Sequence, residues 1–289
     1  MSNAWSWKLL RAGSLRLDGG GMFGVVPKPM WSNLIPPDEQ NRIALQTNCL
    51  LLDDGESGGG GKILIETGFG DKWTEKERGF YDLEKRCITD ALREIEVAPE
   101  EISHVVVTHL HFDHAAGLTK LDNSGEPISV FPGAKIHVQK REWEDALANK
   151  STMSKTYLES HLKPIADQVE LHDGEAEIFP GPGAGAGIHV WPMPGHTWGQ
   201  QAVQFNDDMG TVVFPGDVMP TANHVGLAFS MGYDMEPFTN LQSKNNLLQK
   251  AATKGFRIVI DHEPGDAIVT VEPDSARPGR YALHPAPRK

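Results

Sequence analysis

Between Thr108 and Gly117 the chain reads THLHFDHAAG, placing His109, His111, Asp113 and His114 within six positions. Neutral imidazole ligates metal through a ring nitrogen, and alternation along an extended segment puts His109 and His111 on one side, where they can chelate one ion. Asp113 and His114 follow a bend at Phe112. The small residues Ala115, Ala116 and Gly117 let a helix start pack closely there, so this pair can face a second ion. Nitrogen and carboxylate donors without thiolate suit zinc, and also iron, manganese or cobalt. Packing these groups without a cation would crowd polar atoms that need partners. Histidines standing alone read differently: His104, His137, His161, His172, His189 and His284 are taken as solvent-facing loop residues.

The elements that must position this cluster are legible as short apolar runs. Val105-Val106-Val107, directly before the motif, reads as a buried strand fed by a helical pattern from Thr89 to Glu96 and a turn opened by Pro99. Leu50-Leu51-Leu52 and Lys62-Ile63-Leu64-Ile65 flank a loop containing Gly58 to Gly61, which predicts a hairpin with a flexible tip. Three later runs repeat one design. Ile188 to Trp191 precedes Pro194-Gly195-His196, Thr211 to Phe214 precedes Gly216-Asp217, and Arg257 to Ile260 precedes Asp261-His262. Active-site groups tend to sit on loops at strand ends, so four such ends can converge on one site. Residues 141–165 are polar and helix-compatible and predict a helical cover over one face. From Val271 onward an edge strand and a loosely held tail are expected.

Composition narrows the class. A chain of 289 residues can bury a sizeable core. A hydrophobic fraction of 39% and a mean hydropathy of -0.36, with every apolar run interrupted early, predict a soluble protein with no membrane span. The N-terminus lacks a basic segment followed by an apolar one, so the expected location is cytoplasmic. The net charge of -12 disfavours nucleic acid and anionic membranes as partners, because phosphate binding needs clustered Lys and Arg. Cys49 and Cys87 are too few for a disulfide framework and read as buried thiols.

His109-Leu110-His111-Phe112-Asp113-His114 resembles the HxHxDH signature of the metallo-β-lactamase fold hydrolases. Gly195-His196-Thr197 resembles that family's third-histidine motif, Gly216-Asp217 its bridging aspartate, and His262 its last histidine, all in the expected order from about Arg42 to Ile268. The resemblance implies an α/β fold, an αββα sandwich of two mixed sheets flanked by helices, in a single domain spanning 1–289. It implies two divalent ions, zinc first among them: His109, His111 and His196 would hold one, Asp113, His114 and His262 the other, and Asp217 would bridge them. Hydroxide shared between the ions would attack the substrate, with Asp113 carrying the proton to the leaving group.

Departures from the family's patterns guide the choice of substrate. Asp217 is generally absent from metallo-β-lactamases, no helical C-terminal domain is expected after His262 as in glyoxalase II, and the acidic balance disfavours the nucleases. The segment from Asp18 to Trp31 is similar to the leader of the quorum-quenching lactonase and methyl parathion hydrolase branch, so residues 1–40 are expected to reach the pocket mouth. Its Met22, Phe23, Met30 and Trp31 need something to pack on: core, substrate or a second subunit in a homodimer. The resemblance therefore implies a lactonase, for N-acyl-homoserine lactones or related lactones. Phosphotriester or aryl ester hydrolysis and a mononuclear-iron dioxygenase are the alternatives. The tyrosine that such lactonases carry shortly after the bridging aspartate is missing, and His224 or Tyr233 would supply its polar contact. Met22, Phe23, Phe69 and Trp73 would line the substrate channel. Glu66 stands where the family usually has Asp and is expected to orient a ligand with a longer arm.

Overall fold

The computed structural model describes residues 4–53, 61–153, 155–183 and 185–287, so the glycine-rich hairpin tip at 54–60 lies outside the described residues. In chain order, β1 (Ser6–Asp18) leads into α1 (Gly19–Phe23) and α2 (Lys28–Trp31), then β2 (Arg42–Asp53) and β3 (Lys62–Ile65). After α3 (Glu75–Tyr81) and α4 (Ile88–Arg93) come β4 (Ile102–Val106) and α5 (Phe112–Ala115). A small hairpin of β5 (Thr119–Leu121) and β6 (Pro127–Ser129) precedes β7 (Lys135–Gln139), α6 (Lys140–Leu147) and α7 (Glu159–Leu162). The second half runs β8 (Val169–His172), β9 (Ala176–Phe179), β10 (Ile188–Pro192), β11 (Gln201–Asp207), β12 (Gly210–Phe214), α8 (Pro237–Lys254), β13 (Arg257–Val259), β14 (Ile268–Pro273) and β15 (Tyr281–Pro285).

These strands form two large mixed sheets, ordered β1-β2-β3-β4-β7-β8 and β15-β14-β13-β12-β11-β10-β9. The apolar runs are continuous because central strands are covered on both faces. Leu50, Leu52, Ile63, Ile65 and Val106 point into the layer between the sheets, against Val203, Phe205, Val212 and Phe214. Their alternates, Cys49, Leu51, Leu64 and Val105, point the other way, against Ala91 and Leu92 of α4 and Trp143 and Ala146 of α6. On the far side α8 lays Leu247, Leu248 and Ala251 over Ile258 and Val269. Each aliphatic side chain so buried stabilises the fold by roughly 1.5–3 kcal/mol, and the layering is the expected αββα sandwich.

Several expectations are corrected. Residues 6–18 form a long strand paired to β2 instead of part of an irregular leader; a register shift between Arg11 and Ser14 moves the alternation out of phase and hides the strand from a period-two reading. Among the described residues between 141 and 165, helix is limited to α6, α7 and a 3-10 turn that starts at Lys163, with irregular chain between α6 and α7. The expected C-terminal edge strand is present as β15, at the end of its sheet, but it pairs with β14 along its length, so the chain is held through Pro285 instead of trailing loosely. His104, His137 and His172 lie on β4, β7 and β8 rather than in loops, their ring nitrogens linked at 2.8 and 2.9 Å. His161 is buried beside Trp73, and His189 and His284 stand on strands opposite Glu177 and Glu272. Among the described residues, no helix is long and apolar enough to cross a membrane.

Candidate metal centre

Four strand ends deliver ligand-type side chains to one place. His109 and His111 follow β4, His196 follows β10, Asp217 follows β12 and His262 follows β13, while Asp113 and His114 sit in the short turn α5. His111 Nδ1 and His196 Nε2 are 2.9 Å apart, and His109 lies within the same group of candidate donors. His114 Nε2 and His262 Nε2 are 3.2 Å apart. Asp217 spans the two groups, with Oδ2 3.2 Å from His196 and Oδ1 3.3 Å from His262. Asp113 completes the second side, Oδ2 lying 3.6 Å from His262 and Oδ1 3.9 Å from His114. All seven side chains named as ligands stand together and are buried.

Three of the imidazoles, His262, His196 and His114, are aimed by what their outer nitrogen touches. His262 Nδ1 is 2.9 Å from the carbonyl of Gln46, which can only accept, so that nitrogen carries the proton and Nε2 faces inward as an acceptor. Asp234 is 3.0 Å from His196 Nδ1 and is itself held by the Met231 N–H and the Asn240 amide. Glu66 accepts the Thr108 N–H at 2.6 Å with one oxygen and stands 3.3 Å from His114 Nδ1 with the other. Its longer arm thus spans from the end of β4 to the ligand. Asp261 lies 3.7 Å from the same His114 nitrogen. Asp234 is a lone acid in a loop, with no motif to mark it, and Asp261, although it directly precedes His262, carries no spacing that tells a ligand's support from a ligand.

The donor set fits a pair of divalent cations. His109 Nε2, His111 Nε2, Asp217 Oδ1, Glu66 Oε2 and Asp261 Oδ2 are buried without a hydrogen-bond partner, which is costly unless something positive fills the space. The ion-pair partners of Asp113, Asp217, Asp261 and Glu66 are all histidines; no lysine or arginine is among them. Burial raises Asp217, but His262 and His196 prevail and hold it well below the usual carboxylate range. Burial, with the nearby imidazoles, pushes His109 and His111 well down, keeping them neutral and able to ligate. Burial also lowers His262, but Asp261 and Asp217 outweigh it and pull the imidazole up to about 10. The same carboxylate charge favours a bound cation, which would take the place of that imidazole proton.

A cavity of about 680 Å³ opens over these ligands, with His111, Asp113, His196, Asp217 and His262 at its floor. Of the residues named for the substrate site, Met22 and Tyr233 line this cavity; Phe23, Phe69, Trp73 and His224 do not. Phe23 is buried in a stack between Trp31 and His224. Phe69 is fully buried in the cluster beneath the cavity wall, and Trp73 donates to the Phe69 carbonyl and packs edge-on against Phe112. His224 has no exposed surface, and its nitrogens are engaged at 2.8 Å by the Thr221 hydroxyl and the Met22 carbonyl. Burial lowers it to about 4, so it is a neutral structural group and not the polar contact expected. Tyr233 remains. Its phenol lies over α1 where a Cβ on Gly21 would come within 2.1 Å of the hydroxyl, so only glycine fits beneath it. Tyr81, Phe112 and Met231 also line the wall and were missed, since isolated apolar residues in loops and short turns carry no periodic signal.

Two facing mixed sheets with a histidine–aspartate centre along one edge define a metallo-hydrolase scaffold. Residues 42–262 match the family model of the metallo-beta-lactamase superfamily. The chain belongs to that family and is a metal-dependent hydrolase of it. It is similar to a probable metallo-hydrolase of Mycobacterium tuberculosis, 27% identical over 251 residues, covering 80% of this chain and 76% of the relative. It also matches an N-acyl homoserine lactonase of Bacillus thuringiensis, 26% identical over 166 residues, covering 54% of this chain and 56% of that protein. Among solved structures, a probable metal-dependent hydrolase from Staphylococcus aureus superposes with a TM-score of 0.81 at 27% identity, covering both chains completely.

Proposed function

We propose that this hydrolase opens lactones, with N-acyl-homoserine lactones as the leading substrate class. The observation that carries the reading is a cavity that joins the ligand floor to an apolar stretch of wall formed by Met22, Phe112, Met231 and the Tyr81 ring, with the Tyr233 phenol beside it and Arg16, Gln40, Arg42 and Lys155 also in the lining. Such a space suits a polar ring at the floor and an aliphatic chain along the wall. The similarity to an N-acyl homoserine lactonase supports the choice.

His109, His111 and His196 would hold one divalent ion, and Asp113, His114 and His262 the other, with Asp217 between them; zinc is the first candidate. When bound, such ions supply Lewis acidity and make water acidic enough to ionise near pH 7 instead of ~15.7. The residues do the rest. Burial raises the Tyr233 phenol to about 12, so at neutral pH its hydroxyl keeps its proton and can donate to a substrate carbonyl oxygen. Asp113, at the cavity floor with only histidines as ion-pair partners, can hold a proton on a carboxylate oxygen and pass it to the leaving ring oxygen. Met22, Phe112, Met231 and the Tyr81 ring supply apolar surface beside them.

The test is acid release, titrated across lactones of increasing acyl length, a phosphotriester, an aryl ester, a glutathione thioester and a β-lactam, alongside metal analysis. Lactone turnover with about two ions per chain is the expected result. Clear turnover of another class with none on any lactone would overturn it, as would a single iron.

A further inference from the structure

One buried carboxylate grips the site from behind and takes no part in the chemistry above. Glu142 in α6 has no exposed surface. Its Oε1 accepts from the Leu110 N–H at 2.9 Å and from the Tyr157 hydroxyl at 3.0 Å, and its Oε2 accepts from the Thr197 hydroxyl at 2.6 Å. Leu110 lies between His109 and His111, and Thr197 follows His196. A single side chain therefore fastens both loops that carry the three histidines of the first group.

The surroundings tighten this connection. The chain after His196 runs so close to α6 that a Cβ on Gly199 would sit 2.2 Å from the Glu142 nitrogen. Trp198 lies under Lys150 Nζ at 3.9 Å and Arg141 at 5.9 Å, gripped by one cation in α6 and one just past its end. The Tyr157 ring packs 5.0 Å from the His111 ring. The second group has its own supports, Glu66 and Asp261 at His114 and the Gln46 carbonyl at His262, and none of them touches Glu142. A buried carboxylate is an expensive way to fill space, since an apolar residue of similar volume usually stabilises a core at least as well. What it provides here is three fixed acceptor contacts to two separate loops.

We infer that Glu142 is the positioning residue of the first metal site, and that through Tyr157 it joins that site to the cover, whose Thr152, Met153 and Thr156 line the cavity. The inference rests on the metal-centre reading and specifies which half of the centre the cover controls. Outer groups that orient ligands typically change metal affinity by about 10- to 100-fold when removed.

Zinc titration of the metal-free full chain against a chromophoric chelator tests it, with His196→Ala and His262→Ala marking which step belongs to which site. Glu142→Ala is expected to weaken the first site by about tenfold or more while leaving the second within about threefold. Glu142→Gln should recover part of the loss, because its amide oxygen can still accept from Leu110 and Tyr157. Equal weakening of both sites, or of neither, overturns the positioning role, and so does failure of the Gln variant to rescue. Should Glu142→Ala not fold, Thr197→Val, which removes only one of the three donors, must still weaken the first site selectively. A wild-type chain that binds no zinc would instead sink the metal-centre reading itself.

Discussion

Tyr233 and His224 share one loop, and burial alone separates their roles. Tyr233 reaches the cavity, whereas His224 is enclosed with both nitrogens engaged. Tyr233→Phe is expected to lower kcat/KM for lactones by about 10- to 100-fold, the worth of one hydrogen bond to developing charge, with zinc content unchanged. Undiminished turnover would remove the phenol from the mechanism. His224→Ala should leave kcat/KM within a few-fold while lowering stability in urea by roughly 2–4 kcal/mol, because it opens a cavity beside Phe23 and strands two buried polar groups.

Among the elements, β4, β7 and β8 carry a row of three imidazoles, His104, His137 and His172. In the neutral row the central imidazole accepts from one neighbour and donates to the other, and it is burial that opposes a charge on it. Burial, with His104 and His172 adding to it, lowers His137 to about 3. The unfolded chain, with an ordinary value near 6.5, takes up that proton first. The contribution to stability is therefore complete above about pH 6.5 and is lost as pH falls toward 3, at up to ~1.4 kcal/mol per pH unit. His137→Gln should flatten the dependence of Tm on pH between about 6.5 and 4.5 relative to wild type; parallel curves would contradict this. The same row shows why its histidines were misplaced from sequence, since a histidine on a strand between two sheets has no composition signal to separate it from one in a loop.

For the whole molecule, the balance of buried charge ties folding to metal. The centre gathers Asp113, Asp217, Asp261 and Glu66 in a chain already at -12, and ligand binding to the folded state alone stabilises by about 2.7 kcal/mol per site at a hundredfold excess over Kd. Chelation should therefore lower Tm by roughly 5–15 °C for a chain of this size, and zinc readdition should restore it. A melting curve indifferent to chelator would mean that the centre does not hold ions in the folded protein.

The order of ligand motifs, their places after apolar runs and the layered fold were legible in the sequence, because metal donors cluster at fixed short spacing and doubly buried strands leave continuous apolar runs. Long-range relations were not. Glu142 looks like one more charge on a polar helix, Asp234 and Asp261 like loop acids, and Phe69 and Trp73 like channel aromatics. Only packing between distant elements decides which of these faces a ligand, the core or the cavity, and spacing along the chain carries no record of it.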